Sequence, residues 1–374
     1  MKVELKVAGL LGVSGLLVIF FALSFAEPWR IALQWLVLAS LLWSWVWRAT
    51  LQLSDLNRVS AAAPLLTSMG WANRLTLLRG YLIALTGGFL FQPQAEGFTS
   101  WVPGLLYGAA AMLDRLDGFV ARKSKQTTLL GAELDTAFDA FGLLVVPLLA
   151  IGLGKVHWSY LLLSFAFYLF QWGLSLRRQR GLAIYSLMPS QLRRALAGFQ
   201  MGFIALVLFP CFQAPQTLLC SIVFMIPVLL GFAVDWLVVT GRINAQALAT
   251  KRFFAGLADF GAGTFQPALR VLLAVGLLYI AREMDLSLLS PRATFSLISG
   301  LVFGISLVLL GWAGRIGALI ILLLLSAYPM AMNGLDIAVL CCAIGLLLFG
   351  TGRFSLWQWD DVWVNRQDGA SAES

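Results

Sequence analysis

Apolar runs long enough to cross a bilayer recur along almost the whole chain, separated by short polar stretches. A helix needs about 20 apolar residues to span the hydrocarbon core. On that measure the spans fall at about 7–26, 31–47, 80–92, 101–117, 136–154, 158–176, 197–213, 218–238, 265–281, 293–311, 316–330 and 335–350. The 80–92 run is short alone, so its helix is expected to begin upstream, within 71–79. Composition agrees: 60% of residues are apolar and only 12% charged, where soluble domains carry roughly 25% charged residues. Such a chain cannot clothe a water-facing surface. A soluble enzyme, a disordered tail and a secreted disulfide scaffold are excluded together. The expected fold class is all-α, a polytopic integral membrane protein of about 12 transmembrane helices.

The net charge of +8 invites a nucleic-acid reading, which the placement of the charges removes. With the N-terminus in the cytoplasm and sides alternating, only Arg30, Lys155, Arg282 and Arg292 of the 26 basic residues fall outside. Basic residues gather in cytoplasmic loops of membrane proteins, so the excess reports orientation and meets anionic lipid headgroups. Lys2, Lys6, the apolar stretch after them and Ser24-Phe25-Ala26 have the look of a signal peptide. Twenty uncharged residues favour a retained span. Cys211, Cys220, Cys341 and Cys342 lie in or beside apolar runs without metal-type spacing and are expected as apolar fillers. His157, the only histidine, sits at a span edge next to Trp158.

The chain divides into residues 1–60, a two-span N-terminal extension; 61–242, six spans with nearly all the unusual polar residues; 243–264, a cytoplasmic linker; 265–356, four more spans; and 357–374, a polar tail. Trp43, Trp45 and Trp47 in the first block are expected as an interfacial belt.

The acids are unevenly spread. Five of the 18 lie between positions 114 and 139. Helical steps of three and four put Asp114, Asp117, Gly118, Ala121 and Arg122 on one stripe, and Gly131, Asp135 and Asp139 on a second. Glu133 points away from the second stripe. The stretch 123–130, with Lys123, Lys125, Gln126, Thr127 and Thr128, lets the two helices run antiparallel, so the stripes meet near the cytoplasmic boundary. Four carboxylates at a membrane edge repel one another and are costly to desolvate. All-oxygen ligands without Cys or His suit hard cations, Mg²⁺, Mn²⁺ or Ca²⁺. The plainer alternative is a salt-bridged interface with Arg115, Arg122 and nearby lysines, but three of the lysine or arginine neighbours lie on flexible or off-face positions. Gly118, Ala121 and Gly131 leave room for a ligand, and a metal-bridged diphosphate fits such facing stripes.

The stretch resembles the signature of the CDP-alcohol phosphotransferase family, D-x-x-D-G-x-x-A-R-(eight)-G-x-x-x-D-x-x-x-D. The resemblance extends to Asn73-Arg-Leu-Thr76-Leu-Leu-Arg79 upstream, to Ser190-Gln-Leu-Arg193-Arg194 with Gln200, and to Asp235-Trp236. It covers about residues 61–242, the six-helix core of that family. It implies a membrane phospholipid-synthesis enzyme that cleaves a CDP-linked substrate, releases CMP and joins the remaining phosphoryl group to an alcohol. It further implies two divalent cations, Mg²⁺ or Mn²⁺, on Asp114, Asp117, Asp135 and Asp139, with Asp139 also the catalytic base. Gly118, Ala121, Arg122 and Gly131, with Asn73 and Thr76, would border the nucleotide. The first reading has CDP-diacylglycerol as donor; a CDP-alcohol with diacylglycerol as acceptor fits the same motif.

Arg193 and Arg194 are the candidates for a phosphate-bearing acceptor such as glycerol 3-phosphate. Members resembling phosphatidylglycerophosphate synthases have a glycine and lysine, then a lysine and threonine, where this chain has Arg193, Arg194, Leu196 and Ala197, and only Gln200 is kept, so inositol phosphate and neutral alcohols stay open. Arg177, Arg178 and Arg180 are expected to anchor a cytoplasmic helix end. The implied partners are the CDP-linked substrate, membrane lipids and, in a homodimer, a second copy of the chain; nucleic acid is not among them. The expected location is a bacterial inner membrane with the active site at its cytoplasmic face. The last four spans, with Arg270, Gly314-Arg315 and Gly350-Thr-Gly352-Arg353-Phe-Ser355, weakly resemble the four-helix DoxX family. Arg270 is expected to pair with Asp336 or a lipid headgroup. A transporter is the rival from another class, although its polar groups would be expected at the midplane and in repeated halves.

Overall fold

The computed structural model describes residues 1–123, 127–187, 190–284, 287, 290–326, 328, 330 and 332–357. Lys125, Gln126 and the polar tail beyond Trp357 lie outside the described residues. The helices are α1 (Lys2–Ala26), α2 (Trp29–Gln52), α3 (Trp71–Gly87), α4 (Val102–Lys123), α5 (Leu129–Gly152), α6 (Leu161–Gln179), α7 (Gln191–Val207), α8 (Gln216–Val239), α9 (Leu248–Phe260), α10 (Gln266–Glu283), α11 (Pro291–Leu310), α12 (Gly314–Ser326) and α13 (Gly334–Phe349). The protein is all-helical, and every expected span overlaps one of these helices. Seven helices are long and apolar enough to cross a membrane by length and composition. Those that fall short do so for visible reasons: α3 and α7 have 17 residues each, α12 and α13 are also short, and α4 carries Asp114, Arg115 and Asp117. As expected, α3 begins at Trp71, upstream of its apolar run.

One difference concerns the stretch 243–264, expected as a linker. It contains α9, which passes through a π turn at Gly261–Phe265 into α10, so that Leu248–Glu283 runs as one helix of 36 residues. The glycines suggested a loop, but Phe253, Leu257 and Phe260 recur at helical spacing opposite Lys251 and Arg252. The π turn accommodates Gly261 and Gly263 where a regular helix would be weak.

Internal contacts group the chain into two compact units. The first takes in Met1–Ser164 and Met201–Pro210. In it α1 and α2 pack as a hairpin, α2 leans on α3, and α3 packs along both α4 and α5. The start of α1 is tied to the start of α3 by Glu4, whose carboxylate accepts from Met69 N at 2.8 Å and pairs with Arg74 at 2.9 Å. Farther along, Tyr81 donates to the carbonyl of Gly12 at 3.0 Å. Trp43 is buried, edge-on to Tyr81 at 4.9 Å, and Trp45 stacks on Phe141 at 4.7 Å. The tryptophans expected as an interfacial belt therefore also pack between helices, where their large rings fill space beside small residues such as Gly12.

The second unit takes in Phe165–Gln200 and the described chain from Cys211 onward. Here α10 packs on α13, α11 on α12, and α12 on α13. Arg270 is only 5% exposed, and its partner is not Asp336. Its guanidinium donates to the carbonyls of Val308 (2.8 Å), Thr351 (3.2 Å), Phe354 (2.8 Å) and Leu309. Arg315 similarly donates to Leu347 and Leu348 at 2.7 and 3.0 Å. These carbonyls belong to the last turns of α11 and α13 and to the segment after α13, where a helix leaves its acceptors without intrahelical donors. A planar cation with five N–H groups satisfies several of them at once and meets the negative end of the helix dipole. Asp336 instead caps its own helix, accepting from Asn333 N at 3.2 Å.

Replacing Arg270 with leucine strands these carbonyls, at about 1–3 kcal/mol for each group left unsatisfied. The thermal midpoint in detergent should fall clearly for Arg270→Leu and should not recover in Arg270→Lys, whose single ammonium cannot span the same acceptors. A lysine variant as stable as the wild type would show that charge alone suffices.

Candidate functional site

The site lies wholly in the first unit, where α3, α4 and α5 meet. The inner face of α3 carries Ala72, Asn73, Thr76, Arg79 and Gly80, all buried. Their steps of three and four follow from helical geometry. Facing them, α4 brings Asp114, Asp117, Gly118, Ala121 and Arg122 in its last turns. On the other side, α5 brings Gly131, Asp135 and Asp139. Thr128 starts α5 as its N-cap, with Oγ1 accepting from Gly131 N at 3.0 Å, so the first turn of α5 is fixed where its stripe begins.

The two acidic stripes meet, as their spacing required. The carboxylate oxygens of Asp114, Asp135 and Asp139 lie within 4.8 Å of one another. Asp117 is set slightly apart, accepting from Thr76 Oγ1 at 2.8 Å. Glu133 is exposed and takes no part. At the centre is a side chain that the sequence had assigned no role. Arg79, 1% exposed, hydrogen-bonds Asp114 and lies 2.9 Å from Asp135, 3.2 Å from Asp139 and 3.9 Å from Asp117. Its Nη2 also donates to the carbonyl of Asp135 at 3.0 Å. The salt-bridged alternative considered for the acidic stripes thus holds in part, through Arg79. A signal was available: Asn73, Thr76 and Arg79 stand at steps of three on one helix face.

Four carboxylates face one guanidinium, so the cluster keeps an excess of negative charge and of oxygen acceptors. The Nε of Arg79 has no hydrogen-bond acceptor among the described residues, so even the central cation is incompletely matched to its surroundings. The donor set is oxygen only, and three carboxylates converge within a few ångströms; this is the chemistry that hard divalent cations prefer. Asp135 and Asp139 are also the open members, with side chains 50% and 45% exposed. The residues present therefore fit a divalent cation.

Beside the carboxylates is a cavity of about 210 Å³. Asn73, Thr76, Gly118, Ala121, Arg122 and Gly131, the six residues expected around a nucleotide, all line it, together with Asp117 and Asp135 from the acidic cluster. Thr127 and Thr128 complete one wall. Gly131 is required here by close approach: a Cβ would lie 2.6 Å from Asn73 Oδ1. Asn73 in turn donates to Thr128 Oγ1 at 3.0 Å and to the carbonyl of Met69 at 2.8 Å. Thr128 and Asn57, which also meets Asn73, are site residues that the motif did not reveal.

The acceptor candidates belong to the second unit. Arg193 pairs with Asp235 at 3.2 Å, and its backbone N–H donates to Ser190 Oγ at 3.3 Å at the start of α7. Arg194 is exposed. Gln200 donates to the carbonyl of Phe224. Arg177, in the last turn of α6, donates to the carbonyl of Ala183 at 2.6 Å, just past the helix end.

Residues 69–237 match the family model described as CDP-alcohol phosphatidyltransferase. The match contains every residue of the carboxylate cluster and cavity lining and stops short of α9 to α13. No curated protein and no solved structure matches the chain.

If Arg79 is the counter-ion that lets the carboxylates assemble, Arg79→Ala should lower stability by ~3–5 kcal/mol, as breaking a buried ion pair does. Added Mn²⁺ should then raise the thermal midpoint of the variant more than that of the wild type, because the ion replaces the lost charge. Equal metal responses in the two proteins would contradict this role.

Proposed function

We propose, from the match of residues 69–237 to the CDP-alcohol phosphatidyltransferase family model, that the protein transfers a phosphatidyl group from CDP-diacylglycerol to an alcohol with release of CMP. The observation that supports this reading is the junction of the two parts of the site: Asp117 and Asp135 belong to both the carboxylate cluster and the 210 Å³ cavity. A diphosphate with its nucleotide in the cavity would have its phosphorus atoms beside the carboxylates.

Asp114, Asp117, Asp135 and Asp139 would hold two divalent cations, Mg²⁺ or Mn²⁺. Bound there, such cations offset charge on the diphosphate oxygens and stabilise the departing phosphate. The chain's own residues supply the rest. Gly118 and Gly131 let backbone and cavity wall approach the nucleotide, Asn73 and Thr76 present polar groups to it, and Arg122 brings positive charge. The alcohol oxygen attacks the phosphorus that bears the diacylglycerol; the bond from that phosphorus to the bridging oxygen breaks, and CMP leaves with that oxygen. The hydroxyl proton passes to Asp139, whose side chain is open enough to meet an incoming alcohol. All of these groups come from one chain, so a homodimer would add surface without completing the site.

For the acceptor, Arg193 and Arg194 are the proposed phosphate contacts, which makes a phosphate-bearing alcohol such as glycerol 3-phosphate the first candidate. Arg193 would have to share its charge with Asp235. The arrangement of basic residues supports a cytoplasmic face of a bacterial inner membrane as the location. The converse reaction, a CDP-alcohol reacting with diacylglycerol, uses the same groups and also releases CMP. Identifying the lipid formed by purified protein from labelled CDP-diacylglycerol and a panel of alcohols separates the two, and solute flux without CMP would instead favour a transporter.

Two substitutions and one treatment test the chemistry. Asp139→Asn should reduce turnover at least ~100-fold, the usual contribution of a general base, with nucleotide binding largely kept; near-normal CMP release would remove Asp139 from that role. Gly131→Ala should push Asn73 aside and raise KM for the CDP-linked donor. EDTA should abolish activity and excess Mg²⁺ or Mn²⁺ should restore it, whereas activity that survives chelation would rule out the metal-dependent reading.

A further inference from the structure

The segment 54–68, between α2 and α3, lies outside the family match and carries no motif, yet it is hydrogen-bonded to a residue that lines the cavity. Asn57 is fully buried. Its carbonyl accepts from Leu66 N at 2.8 Å and its Nδ2 donates to the carbonyl of Ser68 at 2.8 Å, closing the segment into a loop. The Arg58 guanidinium tightens the loop by donating to the carbonyls of Asp55 (2.7 Å) and Ala61 (3.3 Å). From this loop two contacts reach the helix starts beside the cavity. Asn57 Oδ1 accepts from Asn73 Nδ2 at 3.3 Å, and the Arg58 carbonyl accepts from Leu129 N at 2.9 Å. The first holds the start of α3 and the second the start of α5, the two helix ends whose first turns line the cavity.

The hydrogen-bond inventory shows why this matters for Asn73. Its amide has two hydrogens for three acceptors, Met69 O, Thr128 Oγ1 and Asn57 Oδ1. Its oxygen accepts from Thr128 Oγ1 at 3.2 Å. Without Asn57, Asn73 keeps Met69 O and Thr128 Oγ1 for its two hydrogens but loses the contact that ties its amide to the segment 54–68.

We propose that the segment 54–68 is a positioning element for the nucleotide end of the CDP-linked substrate, with Asn57 as its positioning residue. Asn57 touches no reacting atom. It sets the orientation of Asn73 and the spacing between the first turns of α3 and α5, and through them the affinity for the nucleotide. The inference rests on the cavity being the nucleotide site. It assigns a substrate-binding role to a part of the chain that the family motif does not reach.

The test uses the full chain purified in detergent. CMP binding is measured by calorimetry, and KM and kcat with CDP-diacylglycerol, for the wild type, Asn57→Ala and Arg58→Ala. Losing the bond to Asn73 together with those that close the loop at Leu66 and Ser68 should raise Kd for CMP and KM for the donor about tenfold in Asn57→Ala, with kcat within about twofold. Arg58→Ala, which loosens the loop from outside, should move Kd in the same direction by about two- to threefold. Unchanged Kd and KM in a folded Asn57→Ala protein, or a fall in kcat at constant KM, overturns the proposal. Should Asn57→Ala not fold, Arg58→Ala decides, and wild-type CMP affinity in that variant is equally fatal. A wild-type chain that binds no CMP overturns the nucleotide reading and this inference with it, whereas binding matched by both variants overturns this inference alone.

Discussion

The guanidinium of Arg79 is the contact on which the rest of the site depends. Two helices bearing four aspartates between them cannot be brought together in an apolar setting by packing alone, because each carboxylate loses hydration and gains a like-charged neighbour. Arg79 meets Asp114, Asp135 and Asp139 within hydrogen-bonding or ion-pair range and approaches Asp117. It projects from α3, so the same contact that offsets the charges also joins α3 to α4 and α5. Because one cation faces four anions, the assembly holds together and still retains the oxygen-rich character that favours divalent ions.

Around this centre the fold separates charge from recognition. The carboxylates lie on helices, which set their mutual distances. The cavity beside them is bounded by helix ends: the first turn of α3, the last turns of α4 and the Thr128-capped start of α5. Helix ends expose backbone groups and tolerate small residues, so a ligand can approach closely. The N-terminal hairpin contributes to this arrangement at a distance. Glu4 ties the start of α1 to Met69 and Arg74, next to the turn that leads into Asn73. An extension without catalytic groups thereby becomes part of the support for the cavity.

How much of this was legible in the sequence follows from the range over which each interaction acts. Asp114, Asp117, Asp135 and Asp139 could be grouped because helical steps of three and four relate residues within a few turns, and a short connection brings two such stripes together. Gly118, Ala121, Arg122 and Gly131 fall on the same two stripes, the family resemblance placed them with Asn73 and Thr76 at the nucleotide, and all of them line one cavity. Arg79 was within reach, three residues from Thr76 on the same face, but nothing local indicated that its charge would point at acids 35 to 60 positions away. Asn57 gave no signal, since its role comes from hydrogen bonds to Asn73 and to a loop closed by backbone groups. Arg270 illustrates the opposite error. A buried arginine in a membrane segment suggested a carboxylate partner, whereas the helix ends of α11 and α13 offered carbonyls that needed donors just as much.

By itself the sequence determined that this chain is a helical membrane protein, which of its scarce acids act together, and which family signature they carry. These follow from properties that are local or cumulative: hydropathy over about 20 residues and periodicity over a few turns. Tertiary structure alone decided which cation the carboxylates enclose, that their cluster shares two aspartates with the cavity, and that Asn57 hydrogen-bonds Asn73 in the cavity wall. Each of those depends on where distant segments meet, and that is settled by packing and by the requirement that buried polar groups find partners.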